Sequence, residues 1–145
     1  MDFWISLIMV LKCVSIDKNI HNLKYAFITE QILKAAFKVH TAIGPGFPEV
    51  IYQRSMMIEL SEMGLKSCAE RSMDVFYFET KVGSRRLDLI VEDKVLVELK
   101  AIKELDNYEY SQVINYLHVF KIEVGLLLNF GRQSLEYKRF VNSKI

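Results

Sequence analysis

The chain is poor in the residues that mark several protein classes. Its 145 residues include only two cysteines, two prolines and six glycines. Cys13 and Cys68 stand far apart, with no CxxC or Cys/His spacing, so neither a disulfide framework nor a structural zinc site is expected. Both are expected as buried thiols in a reducing cytoplasm. The scarcity of proline and glycine excludes collagen-like and linker-like chains. An excess of one charge is missing too, since nineteen Lys and Arg against eighteen Asp and Glu leave a net charge of +1. A general electrostatic sponge for nucleic acid is far more basic, so any such contact must come from a local patch. No apolar run reaches the ~20 residues of a membrane-spanning helix, and no stable membrane association is expected.

What is present points to a folded domain. Hydrophobic residues make up 51% and aromatics 12%, which excludes disorder. The length suits one domain, at about 100–200 residues per domain. Phe3 to Leu11 is nearly all apolar, yet the only early charge is Asp2, unlike the basic start of a signal peptide. Lys12 precedes Cys13, where a lipoprotein signal wants a small residue. The segment is expected as an extra strand or helix packed on the domain. A start assigned too far upstream, leaving a poorly ordered tail, and an export signal are the alternatives.

Beyond it the pattern becomes regular. Ile32, Leu33, Ala36, Phe37, Val39 and Ile43 recur at helical spacing, with Thr29 as the expected N-cap and Gly44-Pro45-Gly46 as the stop. A second helix is expected from Pro48 to about Met63, closed by Gly64. Lys66 to Ala69 and Met73 to Phe78 read as strands, and Gly83 as a turn. A helix over roughly Leu105 to Phe120, a doubly buried strand over Val124 to Phe130 and a last strand over Leu135 to Val141 complete the order. Helices and strands in that order describe an α/β mixed sheet flanked by helices.

The stretch between them is the most informative. Leu87, Leu89 and Val91 alternate with Arg86, Asp88 and Ile90, while Val95, Val97 and Leu99 alternate with Leu96, Glu98 and Lys100. A three-residue loop, Glu92-Asp93-Lys94, pairs Val91 with Val95, Leu89 with Val97 and Leu87 with Leu99, giving one continuous apolar face. The same register sets Asp88 opposite Glu98 and Arg86 opposite Lys100. Like charges directly opposite destabilise a sheet, so fold stability gives no reason for two facing carboxylates. A hard divalent cation supplies one, because Mg²⁺ is held by one or two carboxylates, waters and phosphate oxygens. Lys100, two residues past Glu98 on the same face, can aim its ammonium at the same site. The plain alternative is an edge hairpin whose polar face meets water, with Arg86–Asp88 and Glu98–Lys100 as surface pairs.

Other residues weigh against that alternative. Gly46-Phe47-Pro48-Glu49-Val50-Ile51-Tyr52 reads G-x-x-E-x-x-Y, Asp88…Glu98-Leu99-Lys100 reads D…E-x-K, and Gln112 to Tyr116 reads Q-x-x-x-Y. In this order and spacing the chain resembles the GxxExxY protein family of the PD-(D/E)xK nuclease-like superfamily. The likeness covers roughly Tyr25 to Val141, so residues 1–24 are expected as an extension outside the core and 25–145 as the nuclease-like domain. The resemblance implies a restriction-endonuclease-like (PD-(D/E)xK) α/β core and hydrolysis of phosphodiester bonds in nucleic acid with Mg²⁺ or Mn²⁺, DNA favoured over RNA. It implies Asp88 and Glu98 as metal-binding carboxylates, the Leu99 backbone carbonyl as a further ligand and Lys100 as the catalytic lysine. It also implies Glu49 as the acidic residue lent by the first-helix region, and Gln112 and Tyr116 as residues that touch the site and the nucleic acid. Leu87 departs from the small residue expected before the motif aspartate, a matter of packing rather than chemistry.

Each residue has a plainer reading. Glu49 suits the first turn of a helix, favoured there by the dipole. Tyr52 reads as a packing residue with its hydroxyl bonded, and His40 as a partly buried, hydrogen-bonded histidine. Gln112 and Tyr116 alone would sit at the core and its rim. Phe76, Tyr77 and Phe78 are ordinary strand residues, or a stacking surface for single-stranded bases. Arg85, Arg86, Lys103, Arg132, Lys138 and Arg139 could form one cationic rim. The expectation is a cytoplasmic nuclease, with a homodimer or accessory protein compatible with its size. A non-catalytic nucleic-acid- or protein-binding module on the same fold is the alternative.

Overall fold

A computed structural model describes residues 24–144. The apolar N-terminal segment, Cys13 and the extra element expected there lie outside the described residues. The order is α1 (Ala26–Ile43), α2 (Glu49–Glu62), β1 (Ser67–Tyr77), β2 (Thr80–Val91), β3 (Val95–Lys100), α3 (Asn107–Val119), β4 (Val124–Asn129) and β5 (Glu136–Val141). The five strands form one sheet in sequence order. Only β3 and β4 run parallel, and α3 makes the crossover between them. The remaining neighbours are antiparallel, so the sheet is mixed and flanked by helices, the expected α/β class.

The helices differ from expectation at their starts more than at their ends. Thr29 is not the N-cap of α1. The helix begins three residues earlier, after Tyr25 in a left-handed conformation, and the Thr29 hydroxyl donates back to the carbonyls of Tyr25 and Ala26. With a buried hydroxyl satisfied inside the first turn, threonine no longer competes with helix. Gly44 stops α1 as expected, at φ 73°, where its N–H donates to His40 O at 2.8 Å. Pro48 caps α2. Asp106 and Glu109 form a reciprocal capping box on α3.

The two strands expected before Gly83 are one. β1 runs unbroken through Ser67–Tyr77, and the chain reverses at Phe78 and Glu79 rather than at Gly83. Phe78 itself takes the left-handed conformation, φ 53°, so the turn needs no glycine. Gly83 instead lies within β2 opposite Val75, where the ladder shifts register before Phe76. Cys68 is exposed, not buried. It falls on the outward parity of β1, whose residues alternate between half-buried and exposed.

The β2–β3 hairpin has the three-residue loop and register expected, pairing Val91 with Val95, Ile90 with Leu96 and Leu89 with Val97. Leu89, Val91, Val95, Val97 and Leu99 pack with Leu126, Leu128 and Phe130 beneath α1 and α2, against Ile32, Tyr52, Met56 and Leu60. Leu87 does not join them. It lies in the second cluster with Ile90, Leu96, Leu127, Val113 and Leu117, on the α3 side. The alternation resets because the β1–β2 ladder omits Glu70 and Asp88 between the Ala69–Leu89 and Arg71–Leu87 pairs, with Glu70 at φ 57°. All of β4 is buried. Among the described residues no helix is long and apolar enough to cross a membrane.

Candidate active site

The site lies where β2 and β3 part. Their ladder ends at Leu89–Val97, and beyond it side chains take over the bonding. Leu99 N–H donates to the Asp88 carboxylate Oδ2 at 2.8 Å, and Asp88 N–H reaches Glu98 Oε1 at 3.5 Å. The two carboxylates expected to face one another are therefore brought together, each on the other's strand. Glu98 is 4% exposed and lies between the buried core residues Val97 and Leu99.

Burial, and then the charge of Asp88, push the Glu98 carboxyl up to about 9. Asp88 is also raised, chiefly by burial, with the Leu99 N–H opposing the shift and Glu70 adding to it. Glu49, at the first turn of α2, is raised by burial, against the pull of Lys100. Lys100 is the cation whose charge acts on all three carboxylates. Two facing acids with so little positive charge nearby hold a proton unless another cation takes its place. The donors are hard oxygens, which suit Mg²⁺ or Mn²⁺. Among the described residues no three His, Cys, Asp or Glu side chains converge on one point, so a main-chain carbonyl, water and substrate oxygens would have to complete any coordination.

Glu49 owes its place to Tyr52. The buried Tyr52 ring stacks on Phe130 at 4.6 Å, its hydroxyl donates to Gly44 O at 2.6 Å, and it accepts from Phe47 N–H at 3.2 Å. That ties the Gly44–Phe47 loop to the helix carrying Glu49, so Tyr52 has the packing role expected of it. His40, also as expected, is buried and bonded through Nε2 to Arg132 O at 2.8 Å. The loop after Lys100 is pinned by Asn129, which is fully buried. Its Oδ1 accepts from the Ile102 and Gly131 amides, and its Nδ2 donates to Ile102 O and Glu136, all at 3.0 Å.

Two residues of the site carry no sequence expectation. Gln53 and Glu70 line a cavity of about 200 Å³ with Glu49, Val50, Asp88 and Leu99. Gln53 follows Glu49 by four residues, hence on the same helical face, which is a signal a motif ending at Tyr52 passes over. Glu70 gives no signal, since its role depends on a left-handed residue inside a strand.

Gln112 and Tyr116 bond to one another rather than to the carboxylates. They share a face of α3, where Gln112 Nε2 donates to Tyr116 Oη at 3.1 Å and Tyr116 packs beside Phe120. No hydrogen bond joins either to Asp88, Glu98 or Lys100. Nor do the six cations expected as a rim converge. Lys138 lies over the Tyr110 ring and pairs across from Leu127, whereas the half-buried Arg139 pairs across from Leu126 on the other face and donates to Lys24 O. Arg132 faces Glu136. Arg85, Arg86 and Lys103 remain exposed.

The family model of the PD-(D/E)XK nuclease superfamily matches residues 26–140. No curated protein matches. A solved crystal structure, that of SSO0001, is similar over 79% of this chain and 77% of its own, at 14% identity and a TM-score of 0.44.

Proposed function

Because this chain belongs to the PD-(D/E)XK nuclease superfamily, we propose that it is a metal-dependent nuclease of the GxxExxY type, hydrolysing phosphodiester bonds in nucleic acid, DNA in preference to RNA. The observation that carries the reading is the pair of partly and fully buried carboxylates, Asp88 and Glu98, meeting where the sheet forks with Lys100 as their counter-charge. Asp88, Glu98 and the Leu99 carbonyl would hold Mg²⁺ or Mn²⁺. A bound dication supplies stabilisation of the charge that builds on the phosphate oxygens. Lys100 donates to the attacking water or to a phosphate oxygen, and Glu49, its carboxyl raised by burial, accepts a proton at the rim. Gln112 and Tyr116 present a bonded amide–phenol pair to nucleic acid passing over α3, and Arg85 and Arg86 lie three and two residues before Asp88 on the exposed part of β2.

The test is cleavage of labelled DNA and RNA at low salt with Mg²⁺, Mn²⁺ or chelator. Asp88→Ala, Glu98→Ala and Lys100→Ala are each expected to cut at least about 100-fold more slowly while keeping the wild-type circular dichroism spectrum. Wild-type cleavage by all three would remove the site from consideration. The second reading, a non-catalytic binding module, is favoured by one observation, that Gln112 Nε2 bonds Tyr116 Oη rather than the acidic pair. It requires nucleic-acid binding indifferent to metal, Asp88 and Glu98. A homodimer or an accessory protein fits either reading.

A further inference from the structure

Asp88 sits at a gap in two ladders at once. Toward β3 the regular pairing stops at Leu89, and toward β1 the Glu70–Asp88 position is skipped. A strand residue that loses both neighbours should be poorly fixed, and its carbonyl should be left without a donor. Neither happens. The Asp88 carbonyl accepts from Gln53 Nε2 at 2.9 Å, and the other hydrogen of the same amide goes to Glu70 Oε1, also at 2.9 Å. Gln53 is only 8% exposed. It projects from a helix that is itself fixed, since Tyr52, Met56 and Leu60 on its neighbouring turns are fully buried. Both donors of the amide are used, and both go to residues omitted from the ladder.

We infer that Gln53 is a positioning residue that replaces the missing ladder bond at Asp88, holding the strand open there so that the Asp88 carboxylate turns into the fork toward Leu99. The local chain supports it from three directions. Glu70, at φ 57°, takes the left-handed backbone that removes it from the ladder and brings its carboxylate to Gln53. Leu87 and Leu89 then fall on opposite faces of the sheet, the signature of an interrupted pleat. Leu99 N–H, freed from any β2 carbonyl, bonds the Asp88 side chain instead. Through one helix the same device couples Asp88 to Glu49, four residues before Gln53. The inference rests on the reading of Asp88 as a metal ligand for its effect on activity, although the geometry it describes is a property of the metal-free chain. Groups that orient a ligand from outside its coordination typically change metal affinity or activity by about 10–100-fold when removed.

The test uses the full chain and Gln53→Met, which keeps the volume and removes both donors. Three quantities are measured: the Mn²⁺ dissociation constant by calorimetry, kcat and KM on a labelled DNA oligonucleotide, and amide hydrogen exchange of the metal-free protein. Gln53→Met is expected to weaken Mn²⁺ binding and lower kcat by about 10–100-fold each, with KM changed much less because both Gln53 amide hydrogens are spent on Asp88 O and Glu70. In the metal-free protein the Leu99 amide should exchange faster while Leu126, in the middle of β4, does not. Glu70→Gln keeps an acceptor for the Gln53 amide and should cause a much smaller loss. Wild-type Mn²⁺ affinity and wild-type Leu99 exchange in folded Gln53→Met would overturn the inference. So would a larger affinity loss in Glu70→Gln than in Gln53→Met, which would make Glu70 a ligand in its own right. Should Gln53→Met fail to fold, Glu70→Gly deletes the second acceptor at a backbone conformation glycine adopts freely. Its Leu99 exchange must then exceed that of Glu70→Gln, and equality would overturn the inference. A wild-type chain that neither binds Mn²⁺ nor cuts DNA would end the nuclease reading alone, because Leu99 exchange is read without metal or substrate.

Discussion

The two halves of β3 are buried alike up to Lys100, which is half-buried, and differ in composition and in their pairing with β2. Val95, Leu96 and Val97 are apolar and hydrogen-bonded to β2 on one side and β4 on the other. Glu98, Leu99 and Lys100 keep the β4 pairing only, and two of the three are charged. Burial alone therefore does not decide which positions of a strand must be apolar. A neighbouring strand supplies main-chain partners and excludes everything else. Where it departs, the vacated bonding positions go to side chains, and charged groups become tolerable because they have one another, main-chain amides and an opening through which an ion can enter. The candidate site occupies the part of the sheet where β3 has lost its β2 partner.

That contrast can be broken most violently at Val97, one residue from the fork. Val97→Asp places a carboxylate in the doubly paired half, fully buried among Leu89, Leu99 and Leu126. The expected cost is more than about 4 kcal/mol, enough to abolish the cooperative unfolding transition in urea. A folded, cooperatively melting Val97→Asp would show that the core accepts charge without the fork. A smaller effect is expected just past Lys100. A Cβ on Gly131 would lie 2.3 Å from Ile102 O and 2.4 Å from Ile102 N, both main-chain atoms that cannot swing aside. Gly131→Ala should cost about 1–3 kcal/mol, read from the urea midpoint, and displace the loop that Lys100 enters.

The most conservative substitution sharpens the contrast through pH. The Glu98 carboxyl in the folded chain titrates at about 9, above its ordinary value of 4.5. Below 4.5 the folded and unfolded chains both hold the proton, and no penalty arises. Between 4.5 and 9 the unfolded chain gives it up while the folded chain keeps it, so stability falls as pH rises, by at most about 1.4 kcal/mol per pH unit for one proton. Above 9 the slope flattens. Glu98→Gln, nearly the same shape without the ionisation, should flatten the profile in chelator and raise stability at pH 8. A wild-type profile that rises with pH through this window would contradict the account of the buried pair.

How much of this was legible in the sequence varied with the physics involved. Parity and loop length fixed the β2–β3 register, because Leu89, Val91, Val95, Val97 and Leu99 had to share one side. The doubly buried β4 and the stop at Gly44 followed equally from local composition. Leu87 went to the wrong face because alternation assumes an uninterrupted pleat, and Glu70 interrupts it with a backbone conformation that no feature of a glutamate announces. Gly83 misled for the complementary reason: Phe78 makes the turn without glycine's freedom. Of the candidate site, spacing put Asp88 opposite Glu98 with Lys100 on the same face, while their proposed roles came from the family resemblance. The supporting amide of Gln53 was hidden, because its value depends on a carboxylate and a carbonyl 17 and 35 residues away.

Asn129 carries a consequence for time as well as for place. All four hydrogen-bonding positions of its amide are used, and three of them fasten the first residues after Lys100 and the turn at Gly131. A loop tied in this way cannot open on its own while β4 remains folded. The lysine end of the fork should thus keep the clock of the whole domain rather than that of its surface, and a substrate arriving at any moment meets the same main-chain frame beneath Lys100.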